Sequence, residues 1–465
     1  MHSFLHRHLD RRRGANRHPA LGGGPLTQGT LRAPRSFHIW TIGCQMNVAD
    51  SESISHRLLA AGYVEEPELE RADIAILNTC VVRQTSEDKV YSKLHELREW
   101  KTPERTLAVT GCIVRKEGET LRDRFRILDH VVPIGEYDAF VAELDARYDV
   151  SQGEPLPVAG RTGISCYVNV IEGCDHNCTF CIVPKVRGRE RHRPLAEVVA
   201  ECRRALADGA REVVLLGQNV DDYRDPEGAG GLAALVSAVE CLSGLKRLRF
   251  LTSHPQDLEP ELLEVMVGSN VIAHELQLPI QSGDDHILKR MARGYQVRHY
   301  RAIIERAREL MPDLGLYTDV IVGFPGETRE AFENTLKVMR EFEFDVVHLA
   351  QYSPRPGTHA AERMPDDVPA AEKRRRINEA LALQREIAAR RAQRWLHRKA
   401  EVLIEGRDEL GRPYGRNRQG KRTLVKGGAV QPGDLVEVVV EEASAGQLIG
   451  RPAAIRSLPL LSSNP

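Results

Sequence analysis

"CYVNVIEGCDHNCTFCIVP", residues 166–184, carries two signals in one run. Its first half is rich in β-branched residues and reads as a buried strand. Its second half drops that pattern for three cysteines, Cys174, Cys178 and Cys181, separated by three residues and then two. A strand that runs directly into a ligand-bearing loop is the layout of parallel α/β units, whose sites sit at the carboxyl ends of strands. The segments downstream agree. "LAEVVAECRRALADG" reads as an amphipathic helix and "EVVLLGQNV" as the next strand. "RLRFLTSHP", "AHELQLPIQSG", "GLYTDVIVGFPGE" and "FDVVHLAQYSPRPG" repeat the alternation. Six strand–helix units in series predict an open, partial (β/α)6 barrel over residues 164–392.

Upstream, residues 36–150 alternate in the same way. "SFHIWTIGC", "ADIAILNTC", "RTLAVTGC" and "HVVPIG" read as strands, with helical segments such as "SEDKVYSKLHELREW" and "EYDAFVAELDARY" between and after them. This predicts a second, smaller α/β domain with a parallel sheet. Residues 151–163, "SQGEPLPVAGRTG", read as a linker. Downstream, residues 371–400 form a basic helix. Five short strands with Gly-rich turns then fill residues 393–456 and predict a small β-barrel of OB-like type. Residues 1–35 carry seven arginines and one acid and read as a disordered leader; residues 457–465 read as a loose tail. The overall class is α/β.

The bulk numbers bound the function. The chain has 465 residues, 42% hydrophobic and 28% charged, with a net charge of −1. No global field draws it to nucleic acid or membrane, so any such partner must be met by a local patch. No apolar run is long enough for a membrane span, and no signal peptide is recognisable, so a cytoplasmic protein is expected. Nine cysteines in such a chain argue against a disulfide framework and for metal, catalysis or core packing.

Three closely spaced thiolates suit an iron–sulfur cubane with one iron left open for a ligand. A zinc site is the competing reading, with His176 inside the loop as the nearest fourth ligand. A second set is distributed. Cys44 in "TIGCQMN", Cys80 in "NTCVVR" and Cys112 in "TGCIVR" each end a predicted strand. Strand ends can bring distant thiolates together, although spacing alone also allows three separate core cysteines. Cys166, Cys202 and Cys241 read as structural.

These blocks together resemble the radical S-adenosylmethionine (SAM) methylthiotransferase family. "EGCDHNCTFCIVPKVRGRERHRP" is similar to its radical SAM signature. "IWTIGCQMNVADSE", "ILNTCVVRQTSEDKV" and "VTGCIVRKEGE" resemble its N-terminal domain. "LLGQNVDDY", "TSHP", "LPIQSGDDHILKRMARGY", "TDVIVGFPGET" and "YSPRPGT" resemble its core, and the C-terminal module with "GRNRQGKRTLV" resembles the TRAM RNA-binding domain. The "GCQMN", "TSHP", "GQNV" and "GRNRQGK" blocks are most similar to the MiaB type. Lys185, where that type more often has an aromatic, and Arg115 and Lys116, where Gln-rich sequence is usual, depart from its pattern.

The resemblance implies an enzyme that adds a methylthio group to carbon 2 of N(6)-isopentenyladenosine beside the tRNA anticodon. It implies two 4Fe-4S clusters and SAM. Cys174, Cys178 and Cys181 would hold the cluster at which SAM is cleaved to a 5′-deoxyadenosyl radical. Cys44, Cys80 and Cys112 would hold the one that delivers sulfur. It also implies tRNA, a reductant such as flavodoxin or ferredoxin, and a sulfur source as partners of a monomeric, non-membrane enzyme. Gly217 and Gln218, Gln281 and Ser282, Gly323 and Gly326 sit at predicted strand ends where backbone could meet SAM; plain βα turns are the competing reading. Asp319 is a further candidate. Arg374, Arg375, Arg376, Arg390 and Arg391 on the basic helix are candidate phosphate partners, or one solvated face. Two other functions stay open: methylthiolation of threonylcarbamoyl-adenosine or of a ribosomal-protein aspartate, and an RNA-binding protein with structural metal sites.

Overall fold

Residues 35–148 and 163–453 are described by the computed structural model. Apart from Arg35 and Gly163, the expected leader, linker and tail lie outside these residues. The chain divides into two compact units, residues 1–159 and 160–465.

The first unit is built on a parallel sheet of β1 (Ser36–Thr41), β2 (Val64–Glu65), β3 (Ile74–Thr79), β4 (Thr106–Gly111) and β5 (His130–Val131), in the order β2-β1-β3-β4-β5. Every residue of β3 and β4 is buried. That is why "IAILNT" and "TLAVTG" read as continuous apolar runs rather than alternating ones: both faces of a central parallel strand are covered. Ile54 and Leu58 of helix Gln45–Ala60 and Phe140 and Leu144 of helix Tyr137–Tyr148 pack with Phe37, Ile74 and Ile76 in one core cluster. The short strand β2 was not legible in the sequence. It matters, because with it the strand order reverses between β1 and β3. Open α/β sheets bind ligands at such switch points, outside the carboxyl ends of the strands.

The second unit contains the six expected parallel strands. β6 (Ser165–Asn169) leads into a small hairpin of β7 (Ile171–Glu172) and β8 (Arg191–His192), and then come β9 (Glu212–Leu216), β10 (Arg247–Leu251), β11 (Glu275–Gln277), β12 (Gly315–Val322) and β13 (Val346–Gln351). They form two three-stranded sheets, β6-β9-β10 and β11-β12-β13, joined by a parallel bridge between Leu248 and Ile272. Val168, Val213, Leu248, Leu276 and Leu316 from the strands meet Val198, Leu235, Leu262, Ile304 and Leu336 from the helices in one large core.

Helix Ala370–Gln393 packs along β13 and hands the chain to a closed barrel. Its strands are β14 (Lys399–Arg407), β15 (Pro413–Asn417), β16 (Arg422–Val425), β17 (Leu435–Ala443) and β18 (Leu448–Pro452), in the order β14-β15-β16-β18-β17. Closure leaves no free sheet edge, and Val402, Ile404, Val438, Val440 and Leu448 fill the inside with Trp395 beside them.

The barrel is fastened to the amino ends of the core strands. Arg247, first in β10, donates to Glu401 at 2.8 Å; Arg418 donates to the Ile272 carbonyl at 3.0 Å; the Tyr317 hydroxyl donates to the Gln419 carbonyl at 3.0 Å. The cysteine loop leaves from the opposite, carboxyl end. Among the described residues no helix is long and apolar enough to cross a membrane.

Candidate metal centres

Loop 173–190 is tied at both ends and in the middle. The β7–β8 hairpin clamps its ends, pairing Ile171 with His192 and Glu172 with Arg191. The Cys174 amide donates to the Gly188 carbonyl at 3.1 Å, and Thr179 spans to the Met291 and Arg290 carbonyls at 3.0 and 2.9 Å. Gly173 makes the first of these closures possible. Its φ is +83°, and a Cβ there would lie 2.1 Å from the Arg189 carbonyl oxygen. Gly173→Ala is expected to fold the rest of the second unit but to lose most of its metal, read as iron and sulfide bound per chain after anaerobic reconstitution.

Cys174, Cys178 and Cys181 lie close enough for their charges to interact. Burial pushes the Cys174 thiol up to about 12 and the Cys181 thiol up to about 11. A metal reverses that, because a coordinating thiol is deprotonated. The local donors point to bound thiolates: the His176 amide donates to Cys174 Sγ, and the Val183 amide to Cys181 Sγ at 3.4 Å. Cys178 is served differently. Arg293 Nη1 donates to its Sγ at 3.3 Å.

His176, the nearest fourth ligand in the zinc reading, is engaged by Asp257 and His254. Its Nε2 lies 2.6 Å from Asp257 Oδ2, and its ring stacks on His254 with centroids 4.0 Å apart. Asp257 also accepts from Asn219 at 2.8 Å and lies 3.2 Å from His254 Nδ1. Burial works against the Asp257 carboxylate, but these three hydrogen bonds outweigh it and hold its carboxyl below the usual range. The hydrogen bond to Asp257 raises the pKa of His176, while burial lowers that of His254 to about 4. The three ligating atoms fall within 4.8 Å of one another; a shared carboxylate between two imidazoles accounts for that closeness.

The distributed cysteines converge as well. Cys44 follows β1, Cys80 follows β3 and Cys112 directly follows β4. Cys80 Sγ makes hydrogen-bond contact with Cys112 and senses the charge of Cys44; the Cys112 contact, together with burial, raises its thiol pKa. The Val82 amide donates to Cys80 Sγ at 3.5 Å. Gly43, with φ +152°, lets the β1 loop close on this site, since a Cβ there would lie 2.1 Å from Asn47 Oδ1 and 2.9 Å from Cys80 Cβ. Behind it a buried amide pair joins helix start to strand end: Asn47 Nδ2 donates to Asn78 Oδ1 at 3.0 Å, and Asn78 Nδ2 to the Asn47 carbonyl at 2.7 Å. None of the nine cysteines is in a disulfide. Each trio is therefore a compact set of reduced thiols with amide donors aimed at sulfur and no nitrogen ligand among them. That donor set suits a three-thiolate iron–sulfur cluster.

The other candidates divide. Gly217 and Gln218 follow β9, Gln281 follows β11 and Gly323 follows β12, so all lie at the end that carries the cysteine loop. Thr252, after β10, and Gln281 hold left-handed backbones, φ +73° and +68°. Such conformations cost about 1–3 kcal/mol in non-glycine residues and gather at functional sites. Ser282 is fully buried beside Thr335, and Asp319 sits inside β12 opposite His348. Gly323 is explained by packing, because a Cβ there would meet Lys373 at 2.4 Å.

Four of the five arginines expected as phosphate partners on the basic helix sit in ion pairs. Arg376 is buried and paired with Glu327 at 2.6 Å, and Arg391 is buried and paired with Asp345 at 2.8 Å. Arg375 lies between Glu372 and Glu379, and Arg390 between Glu343 and Glu386. Acids one turn away and on neighbouring elements absorb the run of charge. Arg374 is exposed and forms no ion pair among the described residues.

Comparison with known proteins places this geometry. Residues 168–339 match the Radical SAM superfamily, and residues 36–133 match the Uncharacterized protein family UPF0004. A tRNA-2-methylthio-N(6)-dimethylallyladenosine synthase of Dehalococcoides mccartyi is 40% identical, with 89% of this chain and 97% of that protein covered. The chain belongs to this synthase family. Enzymes of the same name from a Roseiflexus species (40% identical, 90% of this chain, 89% of that protein) and from Carboxydothermus hydrogenoformans (39%, 90%, 99%) are similarly related. Among solved structures, the radical SAM methyltransferase TsrM of Kitasatospora setae, with cobalamin and a [4Fe-4S] cluster bound, is similar in fold. Its TM-score is 0.52 at 14% identity, with 71% of this chain and 77% of that one covered.

Sequence reasoning had not singled out Arg293, Asp257, His254 or Asn219. Three of them lie inside the blocks "MARGY", "TSHP" and "GQNV". Asp257 had no signal, since its role arises only when the loop folds onto the residues after β10.

Proposed function

We propose that the chain adds a methylthio group to carbon 2 of N(6)-isopentenyladenosine beside the anticodon of tRNA. The convergence of two separate thiol trios carries this reading, together with membership of a family named for that product. Cys174, Cys178 and Cys181 would hold one 4Fe-4S cluster and Cys44, Cys80 and Cys112 the other. When bound, the clusters and SAM supply radical generation and transferable sulfur; the protein positions them and excludes water. The loop amides fix the thiolates, and the strand ends at Gly217, Gln218 and Gln281 line the mouth where SAM would lie. The corresponding domain limits are residues 36–150 for the sulfur-bearing domain, 164–392 for the radical SAM core and 393–456 for a TRAM-type barrel that meets RNA, with Arg374 the basic-helix residue left to assist.

A reductant of flavodoxin or ferredoxin type, a sulfur source, a monomeric state and a cytoplasmic location complete the reading. The test is nucleoside analysis of tRNA from a deletion strain, by mass spectrometry. The expected result is loss of the 2-methylthio nucleoside with accumulation of its isopentenyl precursor. If threonylcarbamoyl-adenosine methylthiolation disappears instead, the substrate assignment is wrong.

A further inference from the structure

Arg293 is a buried cation with no carboxylate within ion-pair distance among the described residues. Its Nε donates to the Tyr295 hydroxyl at 3.1 Å, Nη2 to the Pro279 carbonyl at 3.1 Å and Nη1 to Cys178 Sγ at 3.3 Å. Buried charges are expensive unless compensated. Three other buried arginines of this unit are paired with carboxylates: Arg247 with Glu401, Arg376 with Glu327 and Arg391 with Asp345. Arg293 has a sulfur. Three other thiols of the two trios take an uncharged amide from two residues onward, His176 for Cys174, Val183 for Cys181 and Val82 for Cys80. Cys178 is the exception.

We propose that Arg293 is a positioning residue that sets the reduction potential of the cluster on Cys174, Cys178 and Cys181. This rests on the proposed function only for the presence of that cluster. Three thiolates give the buried site net negative charge, and one-electron reduction adds another. A fixed cation in contact with one thiolate stabilises the reduced state more than the oxidised one. Net charge and hydrogen bonds to sulfur are among the factors that set cluster potentials, and low local dielectric keeps the effect from being screened. The arrangement is rigid, since Tyr295 and the Pro279 carbonyl hold the guanidinium from behind.

The experiment compares wild type, Arg293→Lys, Arg293→Met and Arg293→Gln in the full chain. Each is reconstituted anaerobically and titrated with redox mediators while the reduced cluster is read by electron paramagnetic resonance. At the wild-type midpoint, the reduced-to-oxidised ratio in the two neutral variants should fall about tenfold, which is ~59 mV for a one-electron couple. Arg293→Lys should keep most of the wild-type value. Loading by Arg293→Lys but by neither neutral variant overturns the proposal in favour of a charge needed to bind the cluster. Unchanged potentials in loaded neutral variants overturn the proposal, as do failure of all three variants to load, which marks a packing role, and weakened SAM binding at unchanged potential, which marks a ligand contact. A wild-type chain with no cluster at these cysteines overturns the site assignment and the proposal with it.

Discussion

Cys178→Ala should abolish SAM cleavage, and Cys80→Ala should leave it intact while stopping methylthio transfer. The two cysteines are comparable in chemistry and differ in place. Cys178 is the middle thiol of a loop that closes at the carboxyl end of β6, and among the described residues of the second unit no cysteine outside that loop joins the trio. With two thiolates left, the cluster loses a corner and the buried Arg293 loses its sulfur partner, so both metal and counter-charge go. Cys80 belongs to the first unit, in contact with Cys112, and is not one of the three thiols of loop 173–190. The assay is 5′-deoxyadenosine release from SAM under reducing conditions, run beside product nucleoside analysis. Loss of cleavage in both variants, or in neither, would mean that the two trios do not have separate jobs.

The second large effect concerns the barrel. Arg249 forks onto Glu275 with contacts of 2.9 and 2.7 Å, and both side chains are largely buried where the barrel meets the core. Glu212 stands 4.0 Å away. Gly420, from the β15–β16 turn, comes so near that a Cβ would lie 2.4 Å from Glu275 Oε2. Glu275→Ala leaves Arg249 buried with poorer company, and removing one partner of a buried pair costs about 3–5 kcal/mol. The remaining acids place this case at the lower end. Amide exchange at Gln419, Gly420 and β16 should accelerate roughly a hundredfold, as 1.36 kcal/mol corresponds to a factor of ten. Exchange at wild-type rates would show that the junction is held by apolar contact alone.

Legibility in the sequence was a matter of range. The six core strands, the parallel sheet of the first unit and the five barrel strands were all legible, because each rests on a local pattern of apolar residues and turn chemistry. The three-cysteine loop was legible for the same reason. The meeting of Cys44, Cys80 and Cys112 was only half legible: strand-end position suggested it, but the two-residue strand β2, which creates the switch point, is too short for any periodicity. The ion pairs of the basic helix were not legible, because charge is visible in sequence and its pairing is not; Glu327 and Asp345, which pair with Arg376 and Arg391, lie 49 and 46 positions upstream of them. Arg293 was hidden for a related reason. The block "MARGY" contains it, but nothing in that block tells of a sulfur partner 115 positions away.

The core strands also act as a ruler. The barrel is bolted to one end of them and the cysteine loop leaves the other, and β12 spans eight residues between those ends. At about 3.3 Å per residue this is ~26 Å. On the proposed function, with RNA held at the barrel and SAM at the cysteine loop, the RNA has to reach that far before a base arrives at the chemistry. The bolts are an ion pair, Arg247 to Glu401, and hydrogen bonds from Arg418 and Tyr317 to backbone carbonyls, and they fix the barrel against the strand ends. On that reading size becomes a selection rule: a few loose nucleotides would occupy the grip without touching the chemistry, and only a substrate with a long, stiff arm would meet both ends at once.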